Sequence, residues 1–289
     1  MSASASPTAN PTVPLYVVAT PIGTLEDIGR RATRVLAEVD AILAEDTRHT
    51  LRLLEHLGVR KPLLAYHDHS SDEVRARVLG RLEQGESLAL VSDAGTPAIS
   101  DPGYRLVRAV QDAGHAVHPI PGPSALTTFL CASGLPTNTF RFVGFAPRRS
   151  GELDEALQAW LNAPETTVLF ESPQRLVRLL TVLAGLDPGR EVAVGRELTK
   201  IHEEIVRGPA DRLLDRFRSR ERVRGEVVVG ISGASPREAT GAGVDELRDW
   251  AAALAPTGIG TREASRVLAQ QLGVAAREAY QAVLKARGE

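Results

Sequence analysis

A single cysteine, Cys131, stands among the 289 residues. That scarcity excludes an internal disulfide framework and a thiolate-rich metal site, and it fits a reducing compartment. Surplus positive charge is missing too. The formal net charge is −2, so no global field attracts a polyanion and any such contact has to rest on local patches. Residues 1–10 have neither the basic start nor the apolar core of a secretory leader, and no later run reaches membrane-spanning length. Residues 1–12 read as a disordered tail and the chain as cytoplasmic. Two nucleotide-binding signatures are absent as well. The loop Thr20-Pro21-Ile22-Gly23 holds one glycine where a dinucleotide fold needs three. No Gly-x-x-x-x-Gly-Lys-Ser/Thr supplies the cradle and lysine that hold a triphosphate.

What is present is the balance of a folding chain, 43% hydrophobic and 24% charged. Its length exceeds the roughly 100–200 residues of one domain. Short apolar runs at 15–19, 41–44, 88–91 and 116–120 alternate with helical patterns, which predicts βα units around a mostly parallel sheet. Between the first two runs Leu25, Ile28, Ala32, Val35, Leu36 and Val39 recur at helical spacing, with Thr24 placed as an N-cap. Gly85 and Gly114 stand where helices end.

After Pro121-Gly122-Pro123 the pattern restarts, with runs at 140–144, 167–170, 192–195, 204–206 and 226–231. The fold class is therefore α/β, with one domain over 13–122 and a second over 123–235. A linker and helical module follow over 236–289, because 232–243 is rich in Gly, Ala, Ser and Pro. Helices are expected there over 244–254, from a Thr261 cap to Gly273, and from Ala275 with Tyr280, Val283 and Leu284 facing inward. The pair joined at Leu272-Gly273-Val274 resembles a helix-turn-helix. A plain three-helix packing module is the other reading.

Ligands of doubly wound sheets sit beyond the carboxyl ends of the strands, so the loops after the apolar runs are the candidates. Asp93 follows the run 88–91 in a long polar turn. Asp101, before Pro102, reads instead as the N-cap of the next helix. Pro121-Gly122-Pro123-Ser124-Ala125 combines small residues, which allow close backbone approach, with a hydroxyl at a helix N-terminus. Arg30, Arg31 and Arg34 share one predicted helix, Arg48 and Arg52 another, and Arg148 and Arg149 a loop. Such patches are solvated faces or phosphate contacts.

Taken in order, Thr20-Pro21-Ile22-Gly23, Glu45-Asp46-Thr47-Arg48-His49-Thr50, Ser92-Asp93-Ala94-Gly95-Thr96-Pro97, Pro121-Gly122-Pro123-Ser124, Glu171-Ser172-Pro173 and Arg196-Glu197-Leu198-Thr199-Lys200 resemble the tetrapyrrole methylase superfamily. The likeness is to its branch that methylates the ribose 2′-oxygen of a cytidine in 16S ribosomal RNA. Thr24 and Ser70 stand where that family usually has asparagine. The resemblance implies a homodimer with S-adenosylmethionine bound between two α/β domains. Its contacts would be Asp93, Ala94, Gly95, Thr96, Ser124, Ala125 and Phe170. It also implies 16S rRNA as partner, met within the small ribosomal subunit, with Arg48, Arg148, Arg149 and Lys200 on its phosphates.

The sulfonium of such a donor is already electrophilic, so positioning of the acceptor supplies much of the rate, about 7–11 kcal/mol. A ribose hydroxyl must also lose its proton during attack. Asp46 and Glu171, at the ends of predicted strands, are the candidate bases, against capping or ion-pair roles. His67 and His69 are an alternative. No third ligand accompanies the histidines, so no metal is expected. Two other readings stay open: the same fold acting on a small macrocyclic or protein-linked substrate, and a non-catalytic RNA-binding protein built on the tail and the arginine patches.

Overall fold

The computed structural model describes residues 13–67, 71–101, 103–234, 241–272 and 274–288. The tail expected at 1–12, together with His69, Ser70, Pro102 and Gly273, lies outside them.

In the first unit β1 (Leu15–Val18), β2 (Ala41–Ala44), β3 (Leu63–Ala65), β4 (Leu88–Val91) and β5 (Val117–Ile120) form a parallel sheet in the order β3-β2-β4-β1-β5. Every residue of β2 and β4 is buried. Strands covered on both faces read as unbroken apolar runs, which is why they were visible in the sequence. Alternate residues then choose the face. Ile42, Ala44, Ala89 and Val91 pack with α1 (Arg30–Glu38) and α2 (Thr47–His56), whereas Ala41, Leu43, Leu88 and Leu90 pack with α3 (Asp72–Glu83) and α4 (Tyr104–Asp112).

Two expected caps are corrected. Thr24 stands at the N-cap position of a short 3-10 turn, Leu25–Asp27, but its side chain makes no cap bond there and reaches Thr199 instead, while the α-helix itself begins only after Gly29. Asp101 does not cap α4 either, because Gly103 holds that position with φ 139°. There a Cβ would meet Leu90 Cδ2 at 2.8 Å. Past the ends of α3 and α4, Gly85 and Gly114 take φ values of 86° and 82°, as their placement suggested.

The second unit follows through α5 (Ala125–Ser133), β6 (Phe140–Phe145), α6 (Ser150–Leu161), β7 (Thr166–Glu171), α7 (Pro173–Leu186), β8 (Glu191–Arg196), β9 (Glu204–Pro209), α8 (Ala210–Arg218) and β10 (Val227–Ile231). Its sheet has the order β6-β7-β10-β8-β9, in which β6 and β7 are parallel while β10 runs antiparallel to both neighbours. One face is sealed by α6, α7 and α8 through Leu157, Leu179, Leu183 and Phe217. The other receives α5. Its Phe129 lies over two glycines of adjacent strands, where a Cβ on Gly195 or Gly230 would come within 2.6 or 2.9 Å of the ring.

Helices α9 (Gly241–Leu254), α10 (Thr261–Leu272) and α11 (Ala276–Arg287) pack on one another around Leu247, Ala251, Ala264, Leu268, Val274, Ala279 and Val283. Helix α9 begins inside the segment read as linker, and Thr261 is the first helical residue rather than the cap. Tyr280 is exposed, because the buried stripe of α11 runs through Ala279, Val283 and Ala286.

On β9, Glu204 gathers three guanidinium groups, from Arg220 at 2.6 Å, Arg216 at 2.9 Å and Arg196 at 3.3 Å. The Arg220 hydrogen bond foremost, then those of Arg216 and Arg196, hold its carboxyl at about 2 against an ordinary 4.5. A depressed carboxyl stabilises the fold fully above its unfolded value and loses that contribution as pH falls through the folded one. The melting temperature of the wild type is therefore expected to drop between pH 4.5 and about 2 more steeply than that of Glu204→Gln. Parallel melting curves for the two would overturn this account.

Candidate functional site

The two units meet at a cleft of about 470 Å³, within the range of small-molecule sites. The first unit contributes Ile22, Glu45, Asp93, Ala94, Gly95, Thr96 and the loop 99–101, and Ser124 and Ala125 at the start of α5 lie alongside. The second contributes Phe145, Phe170, Glu171, Ser172, Pro173 and the stretch 225–228. All seven residues expected to contact a cofactor therefore line one space.

Local bonding fixes this wall. Thr20 N donates to Gly95 O at 2.8 Å and Gly95 N returns the bond at 3.0 Å. The Thr20 hydroxyl reaches Ser92 O at 3.2 Å, and that of Thr96 reaches Pro123 O at 3.2 Å. Ala98 and Ser100 hold φ values of 67° and 60°. Left-handed backbone at non-glycine residues costs on the order of 1–3 kcal/mol each and gathers at ligand sites. The facing loop behaves alike, with Glu197 at 51° and Thr199 at 62°. The first unit approaches that loop so closely at Gly23 that a Cβ would meet Lys200 Cγ and Thr199 Oγ1 at 2.6 Å. Thr24 N donates to Thr199 Oγ1 at 3.1 Å, and its hydroxyl donates to Thr199 O.

Asp93 Oδ1 accepts from Asp46 N at 2.9 Å. Asp46 is the N-cap of α2, accepting from Arg48 N at 2.8 Å and pairing with the Arg48 guanidinium at 2.9 Å. Those bonds hold its carboxyl at about 2, which makes it a feeble proton acceptor and gives it the capping role. Glu171 differs. Burial pushes its carboxyl up, against the pull of Ser172 N–H at 2.7 Å and Arg175 at 2.9 Å. A buried carboxylate with a raised pKa on the cleft wall is the better base of the two.

None of the four cations expected to meet phosphates lines the cleft. Arg48 is exposed and paired with Asp46; Arg148 is exposed; Arg149 is exposed and 3.1 Å from Glu152. Lys200 is held inward between Glu197 and Glu226, each at 2.9 Å. Burial alone would lower its pKa, but the two carboxylates raise it overall. His67 is exposed on the loop after β3. Among the described residues no group of three or more His, Cys, Asp or Glu is placed to hold a metal ion.

The sequence reading missed the stretch 225–228. Because β10 is antiparallel to β7, its amino end, not its carboxyl end, stands beside Glu171, with Val227 opposite that residue. A rule that searches carboxyl ends passes it by. Gly225 was the available signal: φ is 87°, and a Cβ would fall 2.3 Å from the Glu197 carboxyl group.

Against this geometry the chain matches the model of the tetrapyrrole (corrin/porphyrin) methylases over residues 14–214. It is 47% identical over 227 residues to the ribosomal RNA small subunit methyltransferase I of Xylella fastidiosa, covering 78% of this chain and 83% of that protein. It is 42% identical over 258 residues to the protein of that name from Mesorhizobium japonicum, covering 89% and 88%. The fold is shared with a solved cobalt precorrin-4 methyltransferase, at a TM-score of 0.55 and 18% identity over 75% of this chain and 93% of that one. The chain belongs to the tetrapyrrole (corrin/porphyrin) methylase family, in the branch of the small-subunit ribosomal RNA methyltransferases I.

Proposed function

We propose that this chain is an S-adenosylmethionine-dependent methyltransferase that modifies the ribose 2′-oxygen of a cytidine in 16S rRNA, acting in the cytoplasm on the small ribosomal subunit as a homodimer. The observation that carries the reading is the lining of the cleft. Five carboxylates, those of Glu45, Asp93, Asp101, Glu171 and Glu226, line it and, among the described residues, no lysine or arginine does, Arg175 and Lys200 pairing with Glu171 and Glu226 from behind the wall. Such a site suits a cationic ligand and disfavours a phosphate-bearing one. The apolar side chains of Ile22, Ala94, Ala125, Phe170 and Val228 suit an adenine ring and a thioether stem.

S-adenosylmethionine supplies, when bound, a methyl group already activated on sulfur. In this reading Asp93, the backbone of Ala94, Gly95 and Thr96, Ser124, Ala125 and Phe170 bind it. Asp46 holds the Asp93 carboxylate in place through its N–H. Glu171 accepts the proton of the ribose hydroxyl. Arg48, Arg148 and Arg149 meet rRNA phosphates, and Lys200 braces the loop behind Glu226.

Radiolabelled methyl transfer tests the reading, with small ribosomal subunits, naked 16S rRNA and a precorrin offered in parallel. Label is expected on a cytidine ribose of the rRNA, and light scattering is expected to give twice the 31.0 kDa of one chain. Label on the tetrapyrrole alone would overturn the substrate, and a monomer at working concentration the assembly.

A further inference from the structure

The passage from α8 into β10 carries arginine at every second position, Arg216, Arg218, Arg220, Arg222 and Arg224. Their circumstances differ. Arg216 and Arg220 are neutralised by Glu204, and Arg218 reaches the Thr181 hydroxyl at 3.4 Å. Among the described residues Arg222 and Arg224 have no carboxylate or side-chain hydrogen-bond partner. Both are exposed, while Val223 between them is buried in the core of the second unit. That alternation turns the two guanidinium groups outward together.

The backbone beneath them is pinned. Arg196 donates to Arg224 O at 3.2 Å, and Glu226 N donates to Glu197 Oε1 at 3.1 Å. Gly225, the next residue, lines the cleft in a backbone conformation that leaves no room for a side chain. A run of arginines is usually a solvated face. Here two of them are unneutralised, held on a fixed loop and set at the rim of a cleft lined, among the described residues, by five carboxylates and no lysine or arginine.

We propose that Arg222 and Arg224 form a phosphate clamp that seats the nucleic-acid strand beside the target nucleotide. A polyanion is repelled by the carboxylate-lined cleft, and two guanidinium groups at its edge offset that repulsion where the strand must come closest. Phosphate contacts of this kind set register without reading bases. The identity of the strand as ribosomal RNA rests on the proposed function; the charge argument does not.

The full-length pair variant Arg222→Gln/Arg224→Gln tests this, with Arg222→Lys/Arg224→Lys beside it. Binding to a single-stranded 16S-derived RNA is followed across a salt series. Affinity is expected to fall by about tenfold or more, and the slope of log affinity against log salt to become shallower by about 1.4, two contacts at about 0.7 each. The lysine pair should restore the slope and only part of the affinity, lacking the planar fork. S-adenosylmethionine affinity and Tm should not change, and in methylation KM for the subunit should rise more than kcat falls. An unchanged slope overturns the clamp, as does a loss of S-adenosylmethionine affinity, which would place the arginines on the cofactor. If the wild type methylates no rRNA, the proposed function fails while the salt slope still judges the arginines. If it does methylate and the glutamine pair keeps its slope and KM, the clamp alone fails.

Discussion

Replacing Asp93 with alanine is expected to weaken S-adenosylmethionine binding by about 10- to 100-fold, the scale of one hydrogen bond involving a charged group at about 1.5–3 kcal/mol. Asp93 stands at the carboxyl end of β4, half-buried on the cleft wall. Its carboxylate accepts from Asp46 N at 2.9 Å. Losing that bond to a charged acceptor should cost the fold about 1.5–3 kcal/mol, at roughly 2–4 °C of Tm per kcal/mol. Asp93→Asn keeps an oxygen for Asp46 and discards the charge, so it should fold like wild type and bind the cofactor less well. Calorimetry and thermal melting separate the two quantities. Unchanged cofactor affinity in both variants would remove Asp93 from the binding site.

Deleting residues 241–289 should leave a soluble protein that binds S-adenosylmethionine normally and methylates small subunits about 100-fold less efficiently, the scale of several lost phosphate contacts. The reasoning is topological. Helices α9 to α11 close around their own core, and among the described residues none of theirs lines the cleft. The sheet of the second unit is covered by α6 to α8 on one face and by α5 on the other. A truncated chain should therefore expose little apolar surface. If the product aggregates, the module covers an apolar face after all. If it methylates at the wild-type rate, the module has no part in gripping substrate.

Much of the fold was legible because the strands are buried on both faces. The runs that became β2 and β4 were read to the residue, whereas β3 is three residues long, partly exposed and at a sheet edge, and its run Leu63-Leu64-Ala65-Tyr66 was passed over. The misplaced caps have a common cause. Thr24 and Asp101 have the chemistry of an N-cap, but Thr24 spends its hydroxyl on a loop far away in sequence, and the turn before α4 is completed by Gly103. Spacing alone cannot reveal a partner 175 positions on. The surroundings of Lys200 were hidden similarly: its positive charge was plain, yet Glu197 and Glu226 that pair with it come together only when β8 and β10 pair. The cleft lining was legible mostly where a parallel strand delivered a loop to it, Phe145 at the end of β6 excepted, and illegible where the antiparallel β10 entered from the other end.

The joint between the two units has a kinetic consequence. Covalently they are linked by Pro121-Gly122-Pro123, where two prolines fix φ and a Cβ on Gly122 would touch Ala19 Cβ at 3.0 Å. A second fastening, Gly23 and Thr24 against Thr199 and Lys200, joins the same units without a chain connection. Two anchors along one seam confine the halves to a single axis of swing, the line through both. Ligand exchange that waits on that one motion should show an observed association rate that levels off at high ligand concentration, and a rate that rises linearly throughout would show that the cleft exchanges ligand without it.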